Sequence, residues 1–246
     1  MPPSAPRFFV DGCHAIGDLI EIGGGDAHKL RVVLRKRSGD AVELRDASGT
    51  AFVASLQIDD HRVRARLERA FNQPRVAEST IVLAQAIPKG RKMDFVIEKC
   101  TELGVARFVP LITERTIPDG GRTGKVERWR RLARTAAAQC GRAHVPTVDD
   151  PNDLTRLFDA VAPTDCILVP WESADRVPLS ERLPALIAGR RNLLLVIGPE
   201  GGFAHAEVEL AERRGAATVS LGDRILRTET AGIVVCSILR YALGEL

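Results

Sequence analysis

The sequence lacks the features of a membrane-spanning or secreted protein. No apolar run is long enough to cross a bilayer, and the first residues, MPPSAPRFFV, lack the charged and apolar regions of a signal peptide. The five cysteines are scattered without a Cys-x-x-Cys pair, which is typical of free thiols in a reducing compartment. We therefore expect a cytoplasmic protein with no membrane partner.

Metal-binding and dinucleotide-binding patterns are also missing. Cys140 and His144 lie at helical spacing, but no second ligand pair accompanies them, so we expect no metal site. No Gly-x-Gly-x-x-Gly follows a first strand with an acidic residue about 20 positions further on, which argues against a nucleotide-dependent dehydrogenase. The formal net charge of +3 is too small to indicate a nucleic-acid partner by itself.

The 246 residues suffice for one or two globular domains, and no internal repeat or low-complexity tract interrupts them. From residue 80 to residue 246 strand and helix patterns alternate, which predicts an α/β domain with a parallel sheet. The strands are predicted at 80–86, 107–112, 166–169, 193–197 and 218–221. The helices are predicted at about 93–100, 126–140 and 154–161, around 208–211, and from about Thr228.

Residues 1–72 instead read as β-strands around one short helix at about 26–34. On one strand Arg62, Arg64 and Arg66 alternate with apolar residues, which puts three guanidinium groups on one face. Basic residues also cluster near the end of the helix, at Arg31, Arg35, Lys36 and Arg37. The pattern predicts a small β-barrel with one basic side, although a solvated polar face fits equally well. Residues 73–79 contain one proline and no periodicity, and are interpreted as a linker.

Two glycine-bearing loops follow predicted strands of the α/β region. Residues 198–202 read Gly-Pro-Glu-Gly-Gly after an apolar strand, and Gly222 ends the next strand. Because parallel strands end at one edge of their sheet, both loops are expected at the edge where ligands bind. Glycine lets a ligand approach the backbone closely. The alternative is a tight strand-to-helix turn without a ligand.

A third loop, residues 88–92, is basic. It reads Pro-Lys-Gly-Arg-Lys and leaves the first strand of the α/β region, where its charges suit phosphate oxygens. The alternative is a solvated loop with incidental lysines. The last helix carries apolar residues on two faces, which predicts burial on two sides, either by a second subunit or by the core of its own chain.

Together these motifs resemble the SPOUT methyltransferases. Residues 198–202 (GPEGG) and 221–231 (LGDRILRTETA) are similar to the cofactor loops of that superfamily. More narrowly, the chain resembles the RsmE family, bacterial enzymes that methylate N3 of a uridine in 16S ribosomal RNA. Three further motifs are similar to motifs of the family: Lys89-Gly90-Arg91-Lys92-Met93, Glu102-Leu103-Gly104 and Thr113-Glu114-Arg115. The resemblance spans Arg7 to Ala231.

The resemblance implies an N-terminal PUA-like β-barrel that binds RNA (1–72), a linker (73–79) and a C-terminal SPOUT-type α/β domain with a parallel sheet and a trefoil knot (80–246). It also implies S-adenosyl-L-methionine as cofactor, a homodimer, and 16S rRNA or the 30S subunit as partner. The knot follows from the resemblance alone, because general topology rules make threaded chains rare.

The expected site residues combine this resemblance with the residue patterns described above. The loop at Pro170-Trp171-Glu172 follows a predicted strand and is a further candidate for the cofactor edge, although the family has no fixed pattern at Trp171-Glu172. The cofactor-binding residues are expected to be Pro170, Trp171, Ile197, Gly198, Pro199, Glu200, Gly201, Gly202, Leu221, Gly222, Ile225, Leu226, Thr230 and Ala231. The RNA-binding residues are expected to be Arg7, Arg35, Lys36, Arg62, Arg64, Lys89, Arg91, Lys92 and Arg115.

Two catalytic residues are expected in the loop beside the cofactor. Arg227 is the candidate for stabilising the uracil imide anion, and Glu229 for accepting the N3 proton or orienting Arg227. The same segment also fits an ordinary helix start, with Thr228 as N-cap and Glu229 favourable to the helix dipole. The chain departs from the family at Ala204, where serine is common, so this helix start is expected to depend on the glycine-rich loop.

Two other functions remain open from the sequence. One is a SPOUT methyltransferase that modifies another ribosomal or transfer RNA nucleotide. The other is a noncatalytic RNA-binding protein of ribosome assembly that has kept the fold, against which the intact glycines, Arg227 and Glu229 argue.

Overall fold

The computed structural model describes residues 5–71, 79–116, 124–160, 166–172 and 177–246. The chain forms two compact units, the first made of residues 1–75 with 137–145 and the second of residues 76–136 with 146–246. Most of the predicted linker lies outside the described residues. Its last residue, Ser79, is buried in the second unit.

The first unit contains a five-stranded sheet and one short helical segment. Its strands are β1 Arg7–Phe9, β2 Leu19–Ile22, β3 Ala41–Arg45, β4 Ala51–Ile58 and β5 Val63–Phe71, in the order β1-β3-β4-β5-β2. β1 pairs with β3 in parallel and the other pairs are antiparallel. Helix α1 Gly24–His28 continues as a π-helical turn, Lys29–Val33, close to the predicted helix.

Strand β5 shows why this sheet forms. Val63, Ala65 and Leu67 are buried in the core of the unit, and the residues between them point to the other face. Alternation with period two is what buries one face of a pleated strand. Arg64 and Arg66 therefore lie on one face of β5, as predicted, whereas Arg62 lies just before the strand begins.

The second unit contains a sheet of six parallel strands among its described residues. They are β6 Thr80–Ala86, β7 Arg107–Leu111, β8 Thr147–Val148, β9 Cys166–Pro170, β10 Asn192–Ile197 and β11 Ala217–Val219, in the order β11-β9-β10-β6-β7-β8. The helices are α2 Lys92–Glu102, α3 Lys125–Cys140, α4 Leu154–Asp159, α5 Leu179–Ile187, α6 His205–Arg213 and α7 Thr228–Ala242, and residues 137–140 of α3 belong to the first unit. The prediction of an α/β fold with a parallel sheet is confirmed.

The strand order positions the candidate site. From β6 the chain builds β7 and β8 on one side, whereas β9, β10 and β11 lie on the other side, so the order reverses between β6 and β10. In open parallel sheets ligands bind at such a reversal, beyond the carboxyl ends of the strands. The loops that follow β6, β7, β9, β10 and β11 all leave the sheet at this edge, because every strand pair is parallel.

Some features of the second unit go beyond the sequence interpretation or differ from it. Helix α5 and the two-residue strand β8 were not predicted. The last helix buries one face in the core, whereas Val234 and Ile238 on its other side stay partly exposed. The start of α6 does not depend on the glycine-rich loop alone, because the Glu207 carboxylate accepts the backbone N–H of Ala204 at 2.9 Å and closes the first turn.

No helix among the described residues is both long and apolar enough to span a membrane. Across the same part of the chain, no three His, Cys, Asp or Glu side chains gather as a metal site would require.

Candidate active site

The Gly-Pro-Glu-Gly-Gly loop makes a tight turn after the central strand β10. The backbone N–H of Gly202 donates to the Pro199 carbonyl at 3.0 Å, and Gly202 has a φ of +69°, a region that favours glycine. Gly198 is required for a different reason, since a Cβ there would lie 3.2 Å from the ring of Phe203. A side chain at either glycine would therefore crowd a neighbour of the turn, Phe203 at Gly198 and Glu172 at Gly202.

A short hydrogen-bond chain joins this loop to the last helix. The Thr228 hydroxyl donates to the Gly198 carbonyl at 2.5 Å, and Nε2 of Gln85 donates to the Thr228 hydroxyl at 2.8 Å. Gln85 is fully buried on β6, directly beside Ile197 of β10. The first turn of α7 is thus held against the end of β10 by a buried amide.

The basic loop after β6 is joined to the same turn through Glu200. Oε1 of Glu200 accepts the backbone N–H of Lys89 at 3.1 Å and the ammonium of Lys92 at 3.1 Å. Partial burial by itself would raise the pKa of Glu200, but these hydrogen bonds together lower it below its ordinary value. The hydrogen bond to Glu200, supported by the charge of Glu229, raises the pKa of Lys92. Glu200 and Lys92 are therefore held as an ion pair.

The two predicted catalytic residues differ in environment. The Arg227 side chain is exposed and has no hydrogen-bond or ion-pair partner among the described residues. The Glu229 side chain is only 13% exposed, and its Oε2 atom is buried without a hydrogen-bond partner in the same part of the chain. The ammonium of Lys92 lies 3.4 Å from that oxygen, within ion-pair distance but not aligned for a hydrogen bond. A buried carboxylate oxygen in this state has capacity for a proton donor.

The loop after β7 braces the glycine-rich turn from another side. The guanidinium of Arg115 donates to the Gly201 carbonyl at 2.8 Å. The backbone N–H of Glu114 donates to Oε1 of Glu207 at 2.9 Å, so the residue that caps α6 also holds this loop. The Thr-Glu-Arg motif therefore has a local structural role at the site.

The segment after β9 closes the remaining side. The backbone N–H of Trp171 donates to the Val219 carbonyl at 2.9 Å. The centre of the Trp171 ring lies 5.8 Å from the centre of the His205 ring. The carboxylate of Glu172 lies so close to Gly202 that a Cβ there would be 2.9 Å from Oε1. Pro170, the last residue of β9, is half-buried at the same edge.

The loop after β11 leaves an apolar side chain uncovered. Ile225 is 83% exposed, and Leu221 and Leu226 are half-buried. Gly222 has a φ of +99°, and a Cβ there would meet no other atom within 4 Å. Thr230 and Ala231 lie in the first turn of α7. All the predicted cofactor-binding residues therefore lie in the strand ends, loops and first helical turn of one sheet edge.

Comparison with known proteins identifies the family. The family described as RNA methyltransferase domain matches residues 76–240. The ribosomal RNA small subunit methyltransferase E of Bacillus subtilis is 31% identical over 227 residues, which cover 89% of each chain. The enzyme of the same name from Mycobacterium tuberculosis is 34% identical over 239 residues, or 94% of this chain and 89% of that relative. The chain belongs to this family.

Solved structures agree in fold over nearly the whole chain. A ribosomal RNA small subunit methyltransferase E from Neisseria gonorrhoeae, bound to S-adenosyl methionine, matches with a TM-score of 0.88 and 28% identity, covering 97% of this chain and 98% of the other. A Legionella pneumophila protein in complex with the same cofactor matches with a TM-score of 0.87 and 31% identity, with the same coverage. The resemblance to the RsmE family is confirmed.

The basic residues predicted to bind RNA differ in the contacts they make within the protein. In the second unit Lys92 is held by two carboxylates and Arg115 donates to the glycine-rich loop. The side chains of Lys89 and Arg91 are exposed and have no partner among the described residues. Sequence alone does not separate these two pairs, because all four residues have the same charge and lie in similar loops.

In the first unit, too, some of the basic residues predicted to bind RNA pair with carboxylates and others do not. Arg7 pairs with Glu43 at 3.1 Å and Arg64 with Asp59 at 3.2 Å, whereas Arg62 lies 3.9 Å from the nearest carboxylate oxygen, on Glu21. No carboxylate of the described residues pairs with Arg35 or Lys36. Arg35 also has a φ of +50°, a conformation that is uncommon for a residue with a side chain.

Several residues that organise the site were missed from the sequence. Gln85 and Glu207 reach the loops through hydrogen bonds to distant residues, which no local pattern reveals. A signal was nevertheless present for Gln85, because it is a polar residue near the end of an otherwise apolar strand. Buried polar side chains in such strands usually have a specific partner.

Proposed function

We propose that this protein transfers a methyl group from S-adenosyl-L-methionine to N3 of a specific uridine in the 16S rRNA of the small ribosomal subunit. Membership of the ribosomal RNA small subunit methyltransferase E family supports rRNA methylation as the activity. The structural observation that carries the proposal is the buried, unpartnered Oε2 atom of Glu229 at the sheet edge formed by the glycine-bearing loops. This atom can accept the proton that uracil N3 must lose.

The residues at this edge fit the cofactor. The turn at residues 198–202 follows the central strand β10 at this edge, where its backbone amides and carbonyls would bind a polar group of the cofactor. The exposed Ile225, with Leu221 and Leu226, supplies an aliphatic surface of the kind that covers an adenine ring. When bound, the cofactor would supply an electrophilic methyl group on a sulfonium, and the sulfur would keep the electron pair of the broken sulfur–methyl bond and leave as a neutral thioether.

The chain's own residues would prepare the uracil. The Glu229 carboxylate accepts the N3 proton, either directly or through water, and N3 then has the electron pair that forms the bond to the methyl carbon. The exposed guanidinium of Arg227 donates hydrogen bonds to a neighbouring carbonyl oxygen of the base and stabilises the negative charge that develops there. Both residues belong to the start of one helix, so α7 sets their spacing.

The fold assignment beyond the two sheets is part of the proposal. We assign residues 1–72 to a PUA-like RNA-binding barrel, residues 73–79 to a linker, and residues 80–246 to a SPOUT domain. The five-stranded sheet supports the first, and the insertion of β10 between β9 and β6, with α7 packed on β6 and β10, is compatible with a trefoil knot. The protein would act on 16S rRNA or the 30S subunit in the cytoplasm.

We also assign a homodimer. Val234 and Ile238 on α7 are only partly covered, and Phe95 on α2 and Tyr241 on α7 are 49% and 76% exposed. A second copy would cover these apolar groups, which lie on two helices that pack against each other. Light scattering of the purified protein measures its molar mass and therefore its oligomeric state. A monomer at micromolar concentration would contradict this assignment.

Mass spectrometry of ribosomal RNA tests the reaction. We expect 16S rRNA from cells that lack the protein to miss one methyl group on one uridine, and purified protein with the cofactor to restore it at N3. Restoration at another nucleotide supports the alternative of a different RNA target. No change in any RNA, combined with no cofactor binding in calorimetry, supports the noncatalytic alternative.

A further inference from the structure

Lys92 connects three elements at the sheet edge. It is the first residue of α2, and its ammonium lies 3.1 Å from Oε1 of Glu200 in the glycine-rich loop. The same ammonium lies 3.4 Å from Oε2 of Glu229 in the first turn of α7. One cation is thus shared by two carboxylates that are 29 positions apart in sequence.

The position of Lys92 is fixed from the other side as well. Oε1 of Glu200 accepts hydrogen bonds from both the Lys92 ammonium and the backbone N–H of Lys89. The bond to the Lys89 backbone holds the Glu200 carboxylate in place, and the carboxylate in turn holds the Lys92 side chain. The Lys92 side chain is 34% exposed, and hydrogen bonding with Glu200 raises its pKa. A lysine held by two carboxylates is a poor ligand for RNA phosphate, because a phosphate would have to displace them.

Glu229 depends on this lysine for its placement. Its Oε2 atom is buried and receives no hydrogen bond from any described residue, so the Lys92 ammonium is the charged group that stabilises it there. A buried carboxylate without hydrogen bonds is costly unless a cation lies beside it. Without that cation the side chain would turn toward water, away from the site.

We propose that Lys92 is a positioning residue for the methyl transfer, which acts by holding the Glu229 carboxylate in place, rather than a ligand for RNA phosphate. This inference rests on the proposed function, since it requires that Glu229 accept the N3 proton. It assigns different roles to two lysines of one short motif. Lys92 serves the chemical step, whereas Lys89, whose side chain is exposed, remains a phosphate contact.

The first test compares Lys92→Met with Lys92→Arg at saturating RNA and cofactor. We expect kcat to fall about 10²-fold in Lys92→Met, because misplacing a reacting group by about 1 Å has an effect of this size. Lys92→Arg retains a cation and is expected to recover most of the activity. Lys99→Met is the matched control: Lys99 also lies between two glutamates on α2, at 2.8 Å from Glu98 and 3.0 Å from Glu102, but two turns further along the helix.

The second test asks whether Lys92 acts through Glu229. If it does, Lys92→Met lowers kcat strongly in the wild-type background and only slightly, by less than about 3-fold, in the Glu229→Gln background. Equal fold losses in both backgrounds overturn the inference. Turnover retained by Glu229→Gln itself is a different result, because it removes the proposed proton acceptor whatever Lys92 does.

RNA binding separates positioning from phosphate contact. We expect Lys92→Met to keep the wild-type RNA Kd and its dependence on salt concentration, whereas Lys89→Met weakens binding and lowers the salt slope by about 0.7 to 0.9. A Lys92→Met variant with wild-type kcat and a reduced salt slope overturns the inference. So does a Lys92→Met variant that loses cofactor binding and thermal stability together, because Lys92 would then be a general structural residue.

Discussion

The hydroxyl of Thr228 lies 2.5 Å from the carbonyl oxygen of Gly198, and this contact joins the first turn of the last helix to the glycine-rich turn after β10. Thr228 begins α7, yet its side chain does not cap its own helix. Its hydroxyl instead accepts a hydrogen bond from Nε2 of Gln85 and donates one to the Gly198 carbonyl. The proposed catalytic residues on either side of Thr228 are thereby tied to the backbone that would hold the cofactor.

Thr228→Val keeps the shape of the side chain and removes its hydroxyl. Nε2 of Gln85 then loses an acceptor in a buried position, and the Gly198 carbonyl loses a donor in a partly buried one. We expect the free energy of unfolding to fall by about 1–3 kcal/mol and S-adenosyl-L-methionine to bind more weakly. Urea denaturation and calorimetry measure the two effects, with Thr228→Ser as the control that keeps the hydroxyl. Wild-type cofactor affinity in Thr228→Val would contradict the proposed link.

Gly202→Ala and Gly201→Ala form a matched pair in one turn. At Gly202 the φ of +69° disfavours a side chain, and a Cβ would lie 2.9 Å from Oε1 of Glu172. At Gly201 the nearest atoms belong to the Arg115 side chain at 3.5 Å, an ordinary contact. We expect Gly202→Ala to lower the free energy of unfolding by about 1–2 kcal/mol and Gly201→Ala to change it much less. Equal denaturation midpoints for the two variants would show that the turn does not require this conformation.

Arg227→Ala tests the proposed stabilisation of the uracil anion. Its side chain is exposed and unpartnered among the described residues, so its removal should leave folding intact. We expect methylation to fall by about 10²- to 10³-fold while cofactor binding stays close to the wild-type value. Arg224→Ala, in the same loop and also exposed, is the control for a general loss of positive charge. Full turnover in Arg227→Ala would remove this residue from the mechanism.

The end of the chain contains a buried ion pair whose effect depends on pH. Arg240 is 3% exposed and donates to the Gly104 carbonyl at 2.5 Å, to the Ser79 hydroxyl at 2.9 Å, and to Glu245. Burial alone would raise the pKa of Glu245, but hydrogen bonds from Ser79 and Arg240 lower it below the ordinary 4.5. A carboxylate with a lowered pKa in the folded state stabilises the protein above that ordinary value, and the stabilisation is lost as pH falls through the folded-state pKa.

Glu245→Gln should therefore destabilise the protein in a pH-dependent way. We expect it to lower the free energy of unfolding by about 2 kcal/mol near neutral pH, where the wild-type carboxylate is charged. The difference between wild type and variant should shrink as pH falls to about 3, measured by urea denaturation at each pH. A difference that stays constant over this range would mean that the charge of Glu245 contributes nothing.

Much of the parallel sheet was predictable from the sequence because buried strands leave a strong local signal. The apolar run at 193–197 became the central strand β10, and the apolar residues at helical spacing after Met93 became α2. Helix α5 was missed because Pro184 lies inside it, and proline is usually read as the end of a helix. Strand β8 has only two residues, too few to show a period.

The environment of individual side chains was less predictable than the elements that carry them. Lys89 and Lys92 look equivalent in the sequence, but only the side chain of Lys92 meets the carboxylates of Glu200 and Glu229. Both partners come from elements more than a hundred residues away, so the pairing depends on strand order. Ala204 likewise offers no capping side chain in the sequence, and the position of the Glu207 carboxylate shows how the first turn of that helix is closed.

Gln85 also bears on the order in which the molecule is assembled. Its amide lies at the centre of the sheet, and one of its two acceptors, Thr228, belongs to a helix near the end of the chain. Until that helix docks, the buried Nε2 atom of Gln85 lacks one of its two hydrogen-bond acceptors. The buried hydrogen bond between Gln85 and Thr228 therefore forms only when the proposed catalytic helix docks. A partly synthesised chain that lacks this helix cannot form it.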